Sequence, residues 1–280
     1  MMMKWWTEAM LDALLGEDAP YGDLTTQAIG IAGDGARLSM SMRGAATVCG
    51  IEVAEALFRK VGVEAERLVS SGARVPAGGA ILSAQGDAGG VFTAWKVAQT
   101  LVEYLSGIAT LTADLVAAAR AVSPDVAVVT TRKTLPGAKA QMIAAIRAGG
   151  AFPHRLGLSE TLLVFPEHRE FLDDAVARIA ALRRASPEKK VVVEVKTLDE
   201  ALALLPAAPD VFQCEKMTPE GIGAVVAALA AAGSPALVAA AGGVNLQNAA
   251  AYAAAGAHIL VTSAPYWAKP ADVKVVIAPL

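Results

Sequence analysis

TTRKTLPGAKAQMIAAIRAGGAFPHRLGLSE, residues 130–160, follows a short apolar, β-branched run that contains Val126, Val128 and Val129. A strand therefore ends where two threonines and two adjacent cations, Arg132 and Lys133, begin. Pro136-Gly137 breaks the chain, and the spacing then predicts a helix up to Gly149-Gly150. A second cationic pair, His154-Arg155, precedes the next apolar run. Two basic clusters thus flank one βα unit. Neighbouring strand ends lie side by side in a sheet or barrel, so the clusters are expected to converge on one anion.

Outward from this unit the rhythm repeats. Apolar runs at 126–129, 161–165, 191–195, 210–214, 236–240 and 258–262 alternate with helical segments. Strands buried on both faces and separated by helices imply parallel βαβ units. The expected α/β architecture is an incomplete parallel barrel of six to seven strands. Upstream, residues 4–15 read as an amphipathic helix, and 36–87 as strands of a largely antiparallel sheet around the helix IEVAEALFRKVG. A helix over 91–105 is expected to break at Ser106-Gly107, with a second helix running to Val122. The expected domains are an N-terminal α+β sandwich over 1–105 and a barrel over 106–265, with 266–280 placed to pack on the first.

The chain has 280 residues, a hydrophobic content of 55% and a formal charge of −3, which argues against a nucleic-acid partner. No apolar run free of Gly, Pro and charge is long enough to suggest membrane insertion. The first residues carry no signal-peptide pattern. Cys49 and Cys214 lack metal-type spacing and are expected to be buried and reduced, in a cytoplasmic protein.

In parallel α/β folds the chemistry gathers at the carboxyl ends of the strands. Those ends carry Thr131, Arg132 and Lys133; Glu194 and Lys196; Glu215 and Lys216; Ala241, Gly242 and Gly243; and Thr262 and Ser263. Recurrent charge beside apolar strands is costly unless a ligand or partner satisfies it. Gly242-Gly243, followed by Asn245 as an N-cap for a helix over 246–255, reads either as a phosphate cradle or as a plain tight turn. Glu194 and Glu215 suit two ribose hydroxyls, a hydrated Mg²⁺ or ion pairs with Lys196 and Lys216. Either lysine would alternatively serve as a Schiff base. Arg132 and Arg155 offer forks for a carboxylate or phosphate, with Lys133 as a point charge. His154 is placed to donate to an anion or to exchange protons. His168 and His258 receive no role.

TRKTLPG, GGAFPHRLGL, LSGIAT at 105–110, VEVKTLDEA at 193–201 and AAGGVNLQN together resemble the type II, or quinolinate, phosphoribosyltransferase family over nearly the whole chain. TTRKTLPGAK, PHRLGLSETLLVF and VTSAPYWAKPADVKV resemble a branch of it linked to molybdenum transport. The resemblance implies a sandwich domain, an incomplete barrel and a homodimer with a shared active site. It implies transfer from phosphoribosyl pyrophosphate to an anionic acceptor, with Mg²⁺. Arg132, His154 and Arg155 would then bind the acceptor, aided by Thr131 and Lys196, and Lys133 would bind the phosphoribosyl donor. Glu194 and Glu215 match the carboxylates that hold ribose and metal, the second being Asp in quinolinate enzymes. Ala241, Gly242 and Gly243, with Ser263, match the phosphate site, where alanine replaces the family's serine. Two positions depart: Lys96 stands for the family's cross-dimer arginine, and Phe165 for a lysine. Both normally face quinolinate, so a different acidic acceptor is expected. A non-catalytic binder of an oxyanion such as molybdate is the alternative reading.

Overall fold

The computed structural model describes residues 5–280. The expected helix over 4–15 therefore begins outside the described residues; the helix found is Glu8–Asp18, capped by the Thr7 hydroxyl, which accepts from the Met10 N–H. The chain divides into two compact units. One comprises Met1–Ala113, Leu135–Gly150 and Pro265–Leu280, and the other Asp114–Thr134 and Ala151–Ala264.

The first unit is built on a four-stranded antiparallel sheet. Its central strand Gly35–Met42 pairs with Val273–Pro279 on one side and Ala80–Asp87 on the other, which in turn pairs with Glu64–Arg67. Alternation explains the strand: Ala36, Leu38, Met40 and Met42 are buried, while their neighbours are polar or glycine. Helix Ile51–Lys60 lays Ile51, Ala54, Leu57 and Phe58 on the same core, at helical spacing.

Helix Ala88–Arg120 is continuous over 33 residues and corrects the expected break at Ser106-Gly107. The Ser106 hydroxyl accepts the Cys49 N–H at 2.9 Å, so its polarity is used in a tertiary contact. Gly107 is required by a close approach, because a Cβ there would stand 2.2 Å from the Lys269 carbonyl oxygen. Both breaker residues are packing residues here. By length and composition this one helix, among the described residues, could cross a membrane, but half of its apolar window is buried inside the protein. Val91, Ala94, Ala98 and Val102 sit in the core of the first unit.

The second unit holds a seven-stranded sheet in the order Phe152–Pro153, Ala127–Thr130, Ile259–Thr262, Leu237–Ala241, Val211–Glu215, Val191–Val195, Leu162–Val164. Every pair in it is parallel. All six expected strands are present, and a seventh of two residues, Phe152–Pro153, adds to one edge. The sheet curls into a half-barrel whose inner face carries every second residue. Val192, Val211, Ala239 and Val261 form an apolar floor with Val129, Leu163 and Ile259 packed against it. Val191, Val193 and Val195 are buried as well, which is why their strand reads as an apolar run interrupted only by Glu194.

Candidate active site

Above that floor, at the carboxyl ends of the strands, opens a cavity of about 700 Å³. The register of the sheet determines what faces it. Glu194 pairs with Gln213, Gln213 with Ala239, and Glu215 with Ala241, so these side chains project inward in successive layers. Glu194, Gln213, Glu215 and Ala241 all line the cavity.

One wall is cationic. The Thr130 carbonyl accepts the His154 N–H at 2.9 Å, which sets the end of the edge strand beside the Thr131–Lys133 turn. The Thr131 hydroxyl accepts the Lys133 N–H and shapes that turn. Thr131, Arg132, Lys133, His154 and Arg155 all reach the cavity. The two basic clusters do converge, and they do so because His154-Arg155 ends the two-residue strand. Arg155 is only 7% exposed; its Nη1 donates to the Thr161 carbonyl, and its guanidinium lies 5.8 Å from the Phe165 ring centroid. Burial, then the Arg155 charge, holds the His154 imidazole below its usual range, favouring the neutral form near pH 7.

The opposite wall is acidic. Glu194 is 9% exposed and its Oε2 accepts the Gln213 Nε2–H at 2.9 Å. Burial first, and the Glu215 charge second, push its carboxyl above the usual range. Among the described residues neither glutamate forms an ion pair with Lys196 or Lys216, contrary to the simplest structural alternative. Behind Glu194, Arg169 donates to its backbone carbonyl and pairs with Glu200 at 3.2 Å. Glu194 and Glu215 line the same cavity, and their carboxylates offer the hard oxygen donors that a cation such as Mg²⁺ takes. Among the described residues no group of three or more His, Cys, Asp or Glu gathers into a metal cluster.

Gly242 and Gly243 both adopt left-handed backbone, with φ of 79° and 100°, and line the cavity with Ala241 and Ser263. The helix that follows differs from expectation: it is Ala249–Ala254, with Asn248 at its N-cap. The Asn245 carbonyl side chain accepts the Gln247 N–H at 2.9 Å, and Asn248 accepts the Asn245 N–H at 2.8 Å. These local bonds hold residues 245–248 in a turn in place of a helical first turn.

Three sequence-predicted lysines stand elsewhere. Lys196 is exposed and does not line the cavity; its N–H donates to Glu200 beside the helix Leu198–Leu204. Lys96 is on helix Ala88–Arg120, exposed, 4.4 Å above the Trp95 ring and hydrogen-bonded to Gln99. Lys216 has a left-handed φ of 58° and does not line the cavity, which removes the geometric basis for a Schiff-base lysine at either position. Gln213, Leu163 and Glu167 line the cavity but were not singled out in the sequence. For Gln213 the signal was available: it lies two residues before Glu215, on the same face of the strand. His168 and His258 have structural partners, accepting the N–H groups of Phe165 and Val238.

The chain is 46% identical to "Putative pyrophosphorylase ModD" of Rhodobacter capsulatus, over 87% of this chain and 94% of that protein. It is 36% identical to the carboxylating nicotinate-nucleotide pyrophosphorylase of Mycobacterium leprae, over 85% of each. The structure of NadC from Streptococcus pyogenes superposes with a TM-score of 0.90 at 24% identity, covering 100% of this chain and 99% of that one. The models of the quinolinate phosphoribosyl transferase N-terminal and C-terminal domains match residues 23–106 and 108–276, and the chain belongs to that family.

Proposed function

We propose that this chain is a Mg²⁺-dependent pentosyltransferase that moves a phosphoribosyl group from phosphoribosyl pyrophosphate to an acidic acceptor other than quinolinate. The observation that carries the reading is one cavity with a cationic wall at Arg132, Lys133, His154 and Arg155 facing the carboxylates Glu194 and Glu215. Cations suit a pyrophosphate and an acid; carboxylates suit sugar hydroxyls and developing positive charge. A bare oxyanion would be repelled by the glutamates, which favours transfer over simple oxyanion binding.

In this mechanism Arg132 and Arg155 fork the acceptor carboxylate, with Thr131 beside them and neutral His154 donating a hydrogen bond. Lys133 and the turn at Ala241, Gly242, Gly243 and Ser263 hold phosphate groups. The bond from the anomeric carbon to pyrophosphate breaks with its electron pair leaving on pyrophosphate, and an acceptor lone pair forms the new bond. Glu194 and Glu215 stabilise the positive charge that develops at the anomeric carbon and bind the hydroxyls. Mg²⁺, held by the same two carboxylates, would neutralise charge on the leaving pyrophosphate.

Phe165 and Leu163 give the acceptor end an apolar wall, and the Phe165 ring lies beside Arg155 where a second cation would suit a diacid. That supports an acceptor with fewer carboxylates than quinolinate. The motif resemblance drawn from the sequence carries the further parts of the reading: a role connected with molybdenum transport, and a cytoplasmic homodimer in which Lys96 serves the partner's site. Isothermal titration with phosphoribosyl pyrophosphate and Mg²⁺, with molybdate alone in parallel, tests the reading. Mg²⁺-dependent binding of the sugar is expected. Binding of molybdate and not of the sugar would replace it with an oxyanion-binding role.

A further inference from the structure

The inner face of the half-barrel carries one polar group that the chemistry above does not use. Gln213 is 5% exposed and stands one inward layer above Val192 and Val211, level with Glu194 and Ala239. Its Nε2 donates to Glu194, while its Oε1 is buried and has no hydrogen-bond partner among the described residues. The orientation of the amide is dictated by its neighbour. Turning it over would set Oε1 against a carboxylate that can only accept when ionised. A buried amide oxygen left unpaired is costly, so its persistence inside a binding cavity calls for a donor that arrives with the ligand.

We propose that Gln213 is a specificity-determining residue whose side-chain carbonyl takes an O–H or N–H donor from the most deeply inserted group of the ligand. The inference rests on the cavity binding a sugar phosphate or an acidic acceptor, as argued above. Its position adds direction. Leu163 and Val261 line the same cavity and give it apolar surface, which suits an inserted group that is apolar around a single neutral donor. The donor belongs either to a ribose hydroxyl or to a hydroxyl or amino group on the acceptor.

The two sources are separated by titrating the full chain and its Gln213→Met variant with two probe series. The first is ribose 5-phosphate and phosphoribosyl pyrophosphate with Mg²⁺. The second compares benzoate with 4-hydroxybenzoate and 4-aminobenzoate, whose carboxylate can meet Arg132 and Arg155 while the para group enters the cavity. If a sugar hydroxyl is the donor, Gln213→Met weakens the first series about tenfold. If the acceptor carries the donor, the sugar series is unchanged and wild type prefers the para-substituted acids, a preference that Gln213→Met loses about tenfold. A residue that merely steadied Glu194 would leave that preference intact. Affinities within twofold of wild type in both series, or a wild type that binds none of the probes, overturn the proposal. A wild type that binds the acids but neither sugar probe defeats the phosphoribosyl reading while still deciding the role of Gln213. Matching melting temperatures for the two proteins confirm that the variant is folded.

Discussion

The carboxylate of Glu215 lies over Gly242 on the neighbouring strand: a Cβ added to that glycine would stand 2.6 Å from Glu215 Oε1. Glu215 and Ala241 are register partners, so the turn that follows one strand supports the side chain that ends the other. The bare glycine backbone is thus part of what lets Glu215 face the cavity.

Gly242→Ala is therefore expected to displace Glu215 as well as to strain a backbone at φ 79°. Gly243→Ala is the control, because a Cβ there meets nothing within 4 Å and adds only left-handed strain, roughly 1–2 kcal/mol. Pyrophosphate release should fall at least about a hundredfold in Gly242→Ala, the scale on which positioned electrostatic groups act, and much less in Gly243→Ala. Equal losses in the two variants would mean that displacement of Glu215 is not the cause.

Glu194 makes the fold sensitive to pH. Its carboxyl is held above the usual range by burial and then by Glu215, so the native state binds the proton more tightly than the unfolded chain, whose glutamates titrate near ~4.3. The stability this provides is complete below the unfolded value and is lost as pH rises through the folded value. Glu194→Gln keeps a carbonyl acceptor for the Gln213 amide and removes the ionisation. Its melting temperature should exceed that of wild type at pH 8, with the gap closing toward pH 4. A gap that stays constant across this range would rule out ionisation of Glu194 as its origin.

Much of this was legible in the sequence, and the exceptions have physical causes. Val191–Val195 and its five companions were readable because strands buried on both faces leave mostly apolar runs. Phe152–Pro153 was not, since two residues, one of them proline, carry no periodicity; only the pairing with Val129 and Thr130 defines it. Ser106-Gly107 looked like a helix break because local propensity cannot register the Lys269 carbonyl that excludes a side chain there. Arg132, His154 and Arg155 were found because charge flanking an apolar run is conspicuous. Gln213 escaped because a neutral amide inside such a run looks like filler until its register with Glu194 is known. Lys196 was misplaced because the chain leaves the sheet after Val195 and the inward alternation ends with it.

The helical glycines supply a test with opposite signs. Gly107→Ala would place its Cβ 2.2 Å from the Lys269 carbonyl oxygen and 3.1 Å from Pro270 Cα, all backbone atoms that cannot yield cheaply. Overpacking of this kind costs about 1–3 kcal/mol, and the melting temperature should fall by several degrees. Gly223, inside helix Pro219–Ala231, meets only the Ala255 carbonyl oxygen at 3.7 Å. Gly223→Ala should stabilise by roughly 0.5–1 kcal/mol through helix propensity. Thermal melts of the two variants check both signs, and destabilisation by Gly223→Ala would contradict the packing described for that helix.

Arg155 tests the proposed division of the cavity into donor and acceptor halves. Its guanidinium is fixed by the Thr161 carbonyl and the neighbouring Phe165 ring, with the remaining N–H groups available to a ligand carboxylate. Arg155→Lys keeps the charge and loses the fork, so affinity for 4-hydroxybenzoate should drop about 10- to 100-fold, as expected for a charged hydrogen bond of about 1.5–3 kcal/mol. Binding of phosphoribosyl pyrophosphate with Mg²⁺ should stay within about twofold, because Lys133 and the Gly242-Gly243 turn are untouched. Lys133→Met should do the reverse, weakening the sugar and sparing the acid. This crossed pattern follows from the proposed roles, in which Arg155 serves the acceptor and Lys133, on the adjacent strand end, serves the donor. If both variants weaken both ligands alike, the clusters act as one undivided anion site, and the division into donor and acceptor halves is wrong.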